Sequence, residues 1–113
     1  MIKSDDLYVS HVLESIELIE SYTKRVDFEE FLSNRMMYDA VVRNLQILAE
    51  STQRISSEIK EKYPQIPWRD ISGFRNILVH DYLEGIDENA VWHAIVFDLP
   101  ELKICFEKIK INH

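Results

Sequence analysis

From Arg35 to about Lys62 the chain runs without a glycine or proline, and Met37, Val41, Leu45, Leu48, Ile55 and Ile59 recur at steps of three, four or seven. That spacing gathers them on one face of an α-helix. An unbroken helix over the run would be about 40 Å long at 1.5 Å per residue. The rest of the chain agrees with a helical reading. Its 113 residues include only two glycines and three prolines, fewer than the tight turns of an all-β domain require. With 46% apolar residues the chain is too hydrophobic to be disordered, and its length suits one compact domain over residues 1–113.

Further helices follow from local signals. Ser4 to Asp6 offer caps and acidic charge for a first helix, along which Tyr8, Val12, Ile16 and Ile19 form an apolar stripe fading near Lys24-Arg25. Asp27 reads as an N-cap with Glu30 three residues on, opening a short segment that ends near Asn34. After Tyr63-Pro64-Gln65-Ile66-Pro67 turns the chain, Pro67 suits the first turn of another helix, with Ile71, Phe74 and Leu78 inward. Gly85 and Asp87 mark an end and a new cap. The last helix starts near Glu88, carries Val91 and Ile95 inward, and is expected to kink or restart at Pro100. The expected fold is all-α: an up-and-down bundle of four to five helices with a kinked last element.

Charge and cysteine content narrow the function classes. A net charge of −7 and a pI near 5.0 argue against a general coating of positive potential for nucleic acid, while leaving room for a local basic site. The lone Cys105 forms neither an internal disulfide nor a multi-cysteine zinc site, and no Cys/His/Asp/Glu cluster suggests a metal. No apolar run approaches a membrane span, and Met1 to Asp6 lacks the order of a signal peptide, so a cytoplasmic protein is expected.

The stretch with chemical content is Trp68 to Tyr82, which contains RNILVHDY. Arg75, Asn76, His80, Asp81 and Tyr82 crowd hydrogen-bonding side chains onto a helix whose other face is core. Burying them without partners would be costly, so a cleft or interface is expected there. Asn76 and His80 are one turn apart on nearly the same face. Arg75 and His80, five apart, differ by about 140° around the axis. Three solutions offer themselves: Arg75 wraps round, the helix loosens after Val79, or a second copy of the chain completes the site. The last two together are the expectation. Taken from spacing alone, a mid-helix arginine pairs with a carboxylate and a histidine beside an aspartate is a structural one. Trp68 and Trp92 read as core or interface anchors, Cys105 as a buried apolar residue, Asp5 and Asp6 as helix-start charges, and His11, His93 and His113 as surface histidines.

The arrangement Arg75, His80 and Tyr82 resembles the signature of the HEPN superfamily, and more closely HepT, the toxin of HepT/MntA toxin–antitoxin pairs of type II or VII. The likeness extends to Tyr38–Leu45, to Pro67-Trp68-Arg69-Asp70-Ile71-Ser72-Gly73-Phe74, to Val91-Trp92 and to Asp98-Leu99-Pro100. It departs at Ala49-Glu50-Ser51, where many relatives carry Gly-Glu-Ala, a change expected to touch packing more than chemistry. The resemblance implies a metal-independent endoribonuclease without cofactor, working as a homodimer on RNA (tRNA among the candidate targets), not on DNA or at a membrane. Arg75 and His80 would be catalytic, with Asn76 and Asp81 in support. Arg43 and Arg69 would contact RNA phosphates. A MntA-type nucleotidyltransferase would neutralise the toxin by AMPylation of Tyr82. The alternative is a non-catalytic helical subunit that binds a nucleotidyltransferase partner.

Overall fold

The computed structural model describes residues 3–80 and 85–113, and every described element is helical. Helix α1 covers Lys3–Thr23, α2 Phe28–Ser33, α3 Arg35–Arg54, α4 Ser57–Lys62, α5 Trp68–His80, α6 Glu88–His93 and α7 Leu99–Asn112. A π-helical turn, Ala94–Asp98, joins α6 to α7. The all-α bundle is therefore as expected. Among the described residues no helix is long and apolar enough to cross a membrane.

Caps set most boundaries. Arg25 takes a positive φ of 62° just beyond α1. Asp27 accepts from the Glu30 amide at 2.8 Å, and Asn34 accepts from the Met37 amide at 3.0 Å, so Asn34 alone separates α2 from α3. Asp87 caps α6 by accepting from the Asn89 amide at 2.9 Å. Gly85, at φ +100°, holds a left-handed conformation that side chains disfavour. Pro67 is the cap of α5 rather than part of its first turn, its carbonyl accepting from the Ile71 amide at 3.1 Å.

The long helix expected from Arg35 to Lys62 is two helices. In an unbroken helix the Ser56 amide would bond the Thr52 carbonyl. Instead the buried carboxylate of Asp5 takes the Ser56 amide at 2.8 Å and its hydroxyl at 2.7 Å. Ile55 and Ser56 turn extended, and Ser56 Oγ accepts from the Ile59 amide to start α4. Asp5 is thus a cross-link between the start of α1 and the α3–α4 joint, beyond its expected place as a helix-start charge.

Near Pro100 the chain restarts by widening. Proline leaves the Val96 carbonyl without its usual donor and its ring crowds that carbonyl. The Leu99 amide accordingly reaches five residues back, to the Ala94 carbonyl, and Pro100 sits in the first turn of α7.

α1 packs along α3 and against α7, and α3 carries α5 on another side. Val12, Ile16 and Ile19 from α1, Val41 and Leu45 from α3, and Phe106 and Ile109 from α7 are buried at the centre. Each such side chain contributes about 1.5–3 kcal/mol relative to exposure. Leu78 is fully buried as well, so the last turns of α5 are fixed by the core on one side.

Candidate active site at the end of helix α5

Arg75 and Asn76 sit in the middle of α5, and His80 is its last residue. Asp81 and Tyr82 lie outside the described residues. Helix α5 runs through His80, and the residues just beyond it, where a loosening after Val79 is expected, lie outside the described residues. Its described last turn is anchored on α3 and the core. Leu78 is in the core, and Gln46 of α3 donates through Nε2 to the Leu78 carbonyl at 3.1 Å.

Arg75 is three-quarters buried and meets a carboxylate, as the spacing-based reading expects of a mid-helix arginine. Its Nη2 lies 3.0 Å from Glu50 Oε1 on α3. A second, long contact at 3.4 Å joins Nη1 to Asn76 Oδ1. The Nε–H is buried and has no hydrogen-bond partner among the described residues. A guanidinium has five N–H donors, and this one is held through Nη2 and Nη1 while its buried Nε–H is left unpaired. Asn76 turns its oxygen to Arg75 and is exposed.

Two shallow openings flank the last turn of α5, and Val79 lines both. One, of about 370 Å³, is walled by Asp39, Val42, Arg43 and Gln46. The other, of about 390 Å³, adds Tyr8 and His11 from α1 and Ile47, Glu50 and Arg54 from α3. Their carboxylates are already engaged, Glu50 with Arg75 and Asp39 with Arg35 at 3.0 Å. Arg43 and Arg54 form no ion pair among the described residues. A local basic strip thus exists in an acidic protein. Arg43 belongs to it. Arg69 is exposed on the first turn of α5 and lines neither opening.

The other histidines and aromatics have their own partners. His11 is half-buried, edge-on to Tyr8 with ring centroids 6.1 Å apart, and so is less of a surface residue than expected. His93 Nδ1 stands 3.5 Å from Asp98, and His113 meets the Tyr63 hydroxyl at 3.1 Å. Trp68 donates to the Tyr63 carbonyl and packs on Phe106, while Trp92 lies against Phe28 and Phe31. Cys105 is half-buried rather than buried. It faces a largely apolar cleft of about 490 Å³ between α3, α5 and the α6–α7 arm, a cleft that neither Arg75 nor Asn76 lines. Sequence reasoning missed Glu50, Arg54 and Tyr8. The signal was present in α3, where Arg43, Gln46, Ile47, Glu50 and Arg54 follow one another at helical spacing.

Comparison with known proteins shows the family. The family model described as "Ribonuclease HepT-like" matches residues 12–109. A Methanocaldococcus jannaschii protein, named as a gamma-glutamylcyclotransferase and candidate RNase, is 39% identical over 103 residues. The match covers 91% of this chain but 46% of that protein, so the chain spans about half of that relative's length. A second M. jannaschii protein, named as a candidate RNase, is 38% identical over 102 residues, covering 90% of this chain and 84% of its own. The "Probable ribonuclease HepT" of Thermococcus cleftensis is 37% identical over 110 residues, covering 97% of this chain and 99% of its own. No solved structure gives a significant match. With nearly the whole chain matched by the family model and by relatives above 30% identity, the chain belongs to the HepT-like ribonuclease family.

Proposed function

We propose that this chain, as a single HepT-like domain, is a metal-independent endoribonuclease and the toxin of a toxin–antitoxin pair. The observation that carries the reading is Arg75: a guanidinium held by Glu50, with a buried and unpaired Nε–H, on the helix that ends in His80. RNA carries its own nucleophile. The 2′-oxygen attacks phosphorus while a His80 imidazole takes its proton. The bond to the 5′-oxygen breaks, and that oxygen leaves with a proton from an imidazolium, giving a 2′,3′-cyclic phosphate and a 5′-hydroxyl. An imidazole with an ordinary pKa near 6.5 serves both duties. Arg75 forks hydrogen bonds to the phosphate and stabilises the charge that builds in the transition state.

A regular α5 keeps Arg75 and His80 about 140° apart around one axis. That angle supports a homodimer in which two such helices meet, so that the arginine and histidine acting on one phosphate need not come from one subunit. Asn76 and Asp81 support the pair, and Arg43 contacts RNA phosphates. Arg69 is a more distant contact, about 9 Å along the helix from Arg75. On the family resemblance, a MntA-type nucleotidyltransferase silences the toxin by transferring AMP to Tyr82, adding negative charge that repels the RNA backbone. Cytoplasmic tRNA is the candidate target.

Induced expression of the wild-type chain arrests growth on this reading, and the purified protein cuts RNA in the presence of a chelator. Arg75→Ala and His80→Ala are harmless while folded and dimeric. If both variants stay toxic, the catalytic assignment is wrong, and a non-catalytic subunit of a nucleotidyltransferase becomes the reading. Co-expression with the nucleotidyltransferase adds whole AMP units to the intact mass, and Tyr82→Phe abolishes the gain. An unchanged wild-type mass removes the modification.

A further inference from the structure

We propose that the groove between α1 and α3 is a binding subsite for single-stranded RNA, with Tyr8 and His11 receiving an unstacked base and Arg43 and Arg54 holding backbone phosphates. The inference rests on the ribonuclease reading and extends it, because none of Tyr8, His11 and Arg54 belongs to the Arg75–His80 motif.

Three observations meet in this groove. First, it holds two cations without ion-pair partners among the described residues in a chain of net charge −7. Arg43 and Arg54 are eleven positions apart on one straight helix, so they stand about 16 Å apart along its axis. That is the layout of a strip that follows a strand rather than of a pocket for one ion. Second, the groove is aromatic between its cations. Tyr8 and His11 meet edge-on at 6.1 Å, and the Arg54 guanidinium lies 6.0 Å from the Tyr8 ring centroid. Cationic grooves with ring surfaces on which bases stack are the common means of holding single-stranded nucleic acid. Third, the groove borders the end of the helix that carries Arg75 and His80. Val79, the neighbour of His80, lines it, and so does Glu50, whose charge Arg75 already occupies. A strand lying there passes beside Glu50, the partner of Arg75. Its volume, about 390 Å³, lies in the range of sites for small organic groups and accommodates a nucleoside.

The test is fluorescence anisotropy with a short fluorescein-labelled single-stranded oligouridylate, in the His80→Ala background so that the probe stays intact. Adding Arg54→Ala weakens binding and lowers the slope of log affinity against log salt by roughly one. Adding Tyr8→Leu weakens binding about fivefold or more, whereas Tyr8→Phe, which keeps the ring, binds like the parent. Circular dichroism verifies the fold of each variant. Should Tyr8→Leu unfold, the exposed Arg54 carries the test alone. If Arg54→Ala and a folded Tyr8→Leu bind as the parent does while the wild-type chain still cuts RNA, the subsite is disproved and the ribonuclease reading stands. If the parent does not bind the probe and the wild-type chain does not cut RNA, both fall.

Discussion

Glu50 reaches from α3 to the guanidinium of Arg75 on α5, with Oε1 and Nη2 3.0 Å apart. The contact fixes the arginine at one corner and leaves its buried Nε–H without a protein partner among the described residues. A half-exposed ion pair of this kind is worth at most about 1 kcal/mol to stability. On the proposed ribonuclease reading its consequence is positional: the guanidinium would already be ordered when a phosphate arrives, so less freedom would be lost in reaching the transition state.

Glu50 is therefore expected to act through Arg75. Glu50→Ala lowers kcat for RNA cleavage roughly tenfold with a smaller change in KM, because the lost order matters most where charge develops. Glu50→Gln, which keeps an oxygen acceptor, recovers part of that loss. Both variants melt within a few degrees of the wild type. Steady-state kinetics beside thermal melts separates the two effects. A Glu50→Ala protein with unchanged kcat would show that Arg75 needs no orienting partner.

The bond from Asp5 to Ser56 leads to a stability prediction. Both carboxylate oxygens are used, at 2.8 and 2.7 Å, and Asp5 is 1% exposed. Asp5→Ala leaves the Ser56 amide and hydroxyl without their acceptor in a partly buried place, which costs about 1–3 kcal/mol. Asp5→Asn is milder, since its amide oxygen still accepts from the backbone. The midpoint of urea unfolding falls in that order at an unchanged slope. An Asp5→Ala midpoint equal to that of the wild type refutes the cross-link.

These two contacts also show what the sequence carries and what it does not. The stripes of α1 and α3, the caps at Asp27 and Asp87 and the disturbance at Pro100 are local patterns, and each was readable from neighbours a few positions away. The break at Ser56 was not, because its cause sits 51 positions back in the chain. The apolar positions Ile55 and Ile59 keep helical spacing across the break, so periodicity alone sees one helix. Arg75 was found by its motif and its carboxylate partner was expected in kind. Glu50 falls in the segment where the family likeness breaks, although it stands at helical spacing from Arg43, Gln46 and Arg54. Tracing that polar stripe along α3 would have located both the partner of Arg75 and the groove beside it. Which α3 face meets α5 is a tertiary fact, and no window of sequence states it. Asp81 and Tyr82, expected in the same site, lie outside the described residues.

Phe106 is the test of how far the core governs the motif helix. It is fully buried on α7, and its ring stands edge-on to Trp68, the first residue of α5, with centroids 5.8 Å apart. Phe106→Ala opens a cavity and is expected to cost about 3–5 kcal/mol, a large share of the roughly 5–15 kcal/mol that holds a domain folded. Thermal unfolding shifts down by well over ten degrees, and tryptophan emission moves to the red as Trp68 loses its cover. A shift of only a few degrees would mean that α7 contributes less to the core than its burial implies.

Lys103 on α7 joins Glu20 on α1 at 2.9 Å, and this pair gives the bundle a small stabilisation that depends on pH in the alkaline range. The hydrogen bond to Glu20 and then that carboxylate's charge outweigh the opposing effect of desolvation, Glu107 and Glu17 adding less, and hold the lysine above its ordinary range. The folded state therefore keeps this proton at a pH where the unfolded chain has lost it. The sign is that of a raised base: its stabilising share is complete below the ordinary lysine value and is lost as pH climbs through the raised one. Urea midpoints of the wild type and of Lys103→Met are expected to differ by a constant amount through neutral and mildly alkaline pH. The gap then closes as pH passes beyond the lysine range, with the wild type falling toward the variant. A gap that survives to the alkaline end would assign the stabilisation to packing of the lysine stem rather than to its charge.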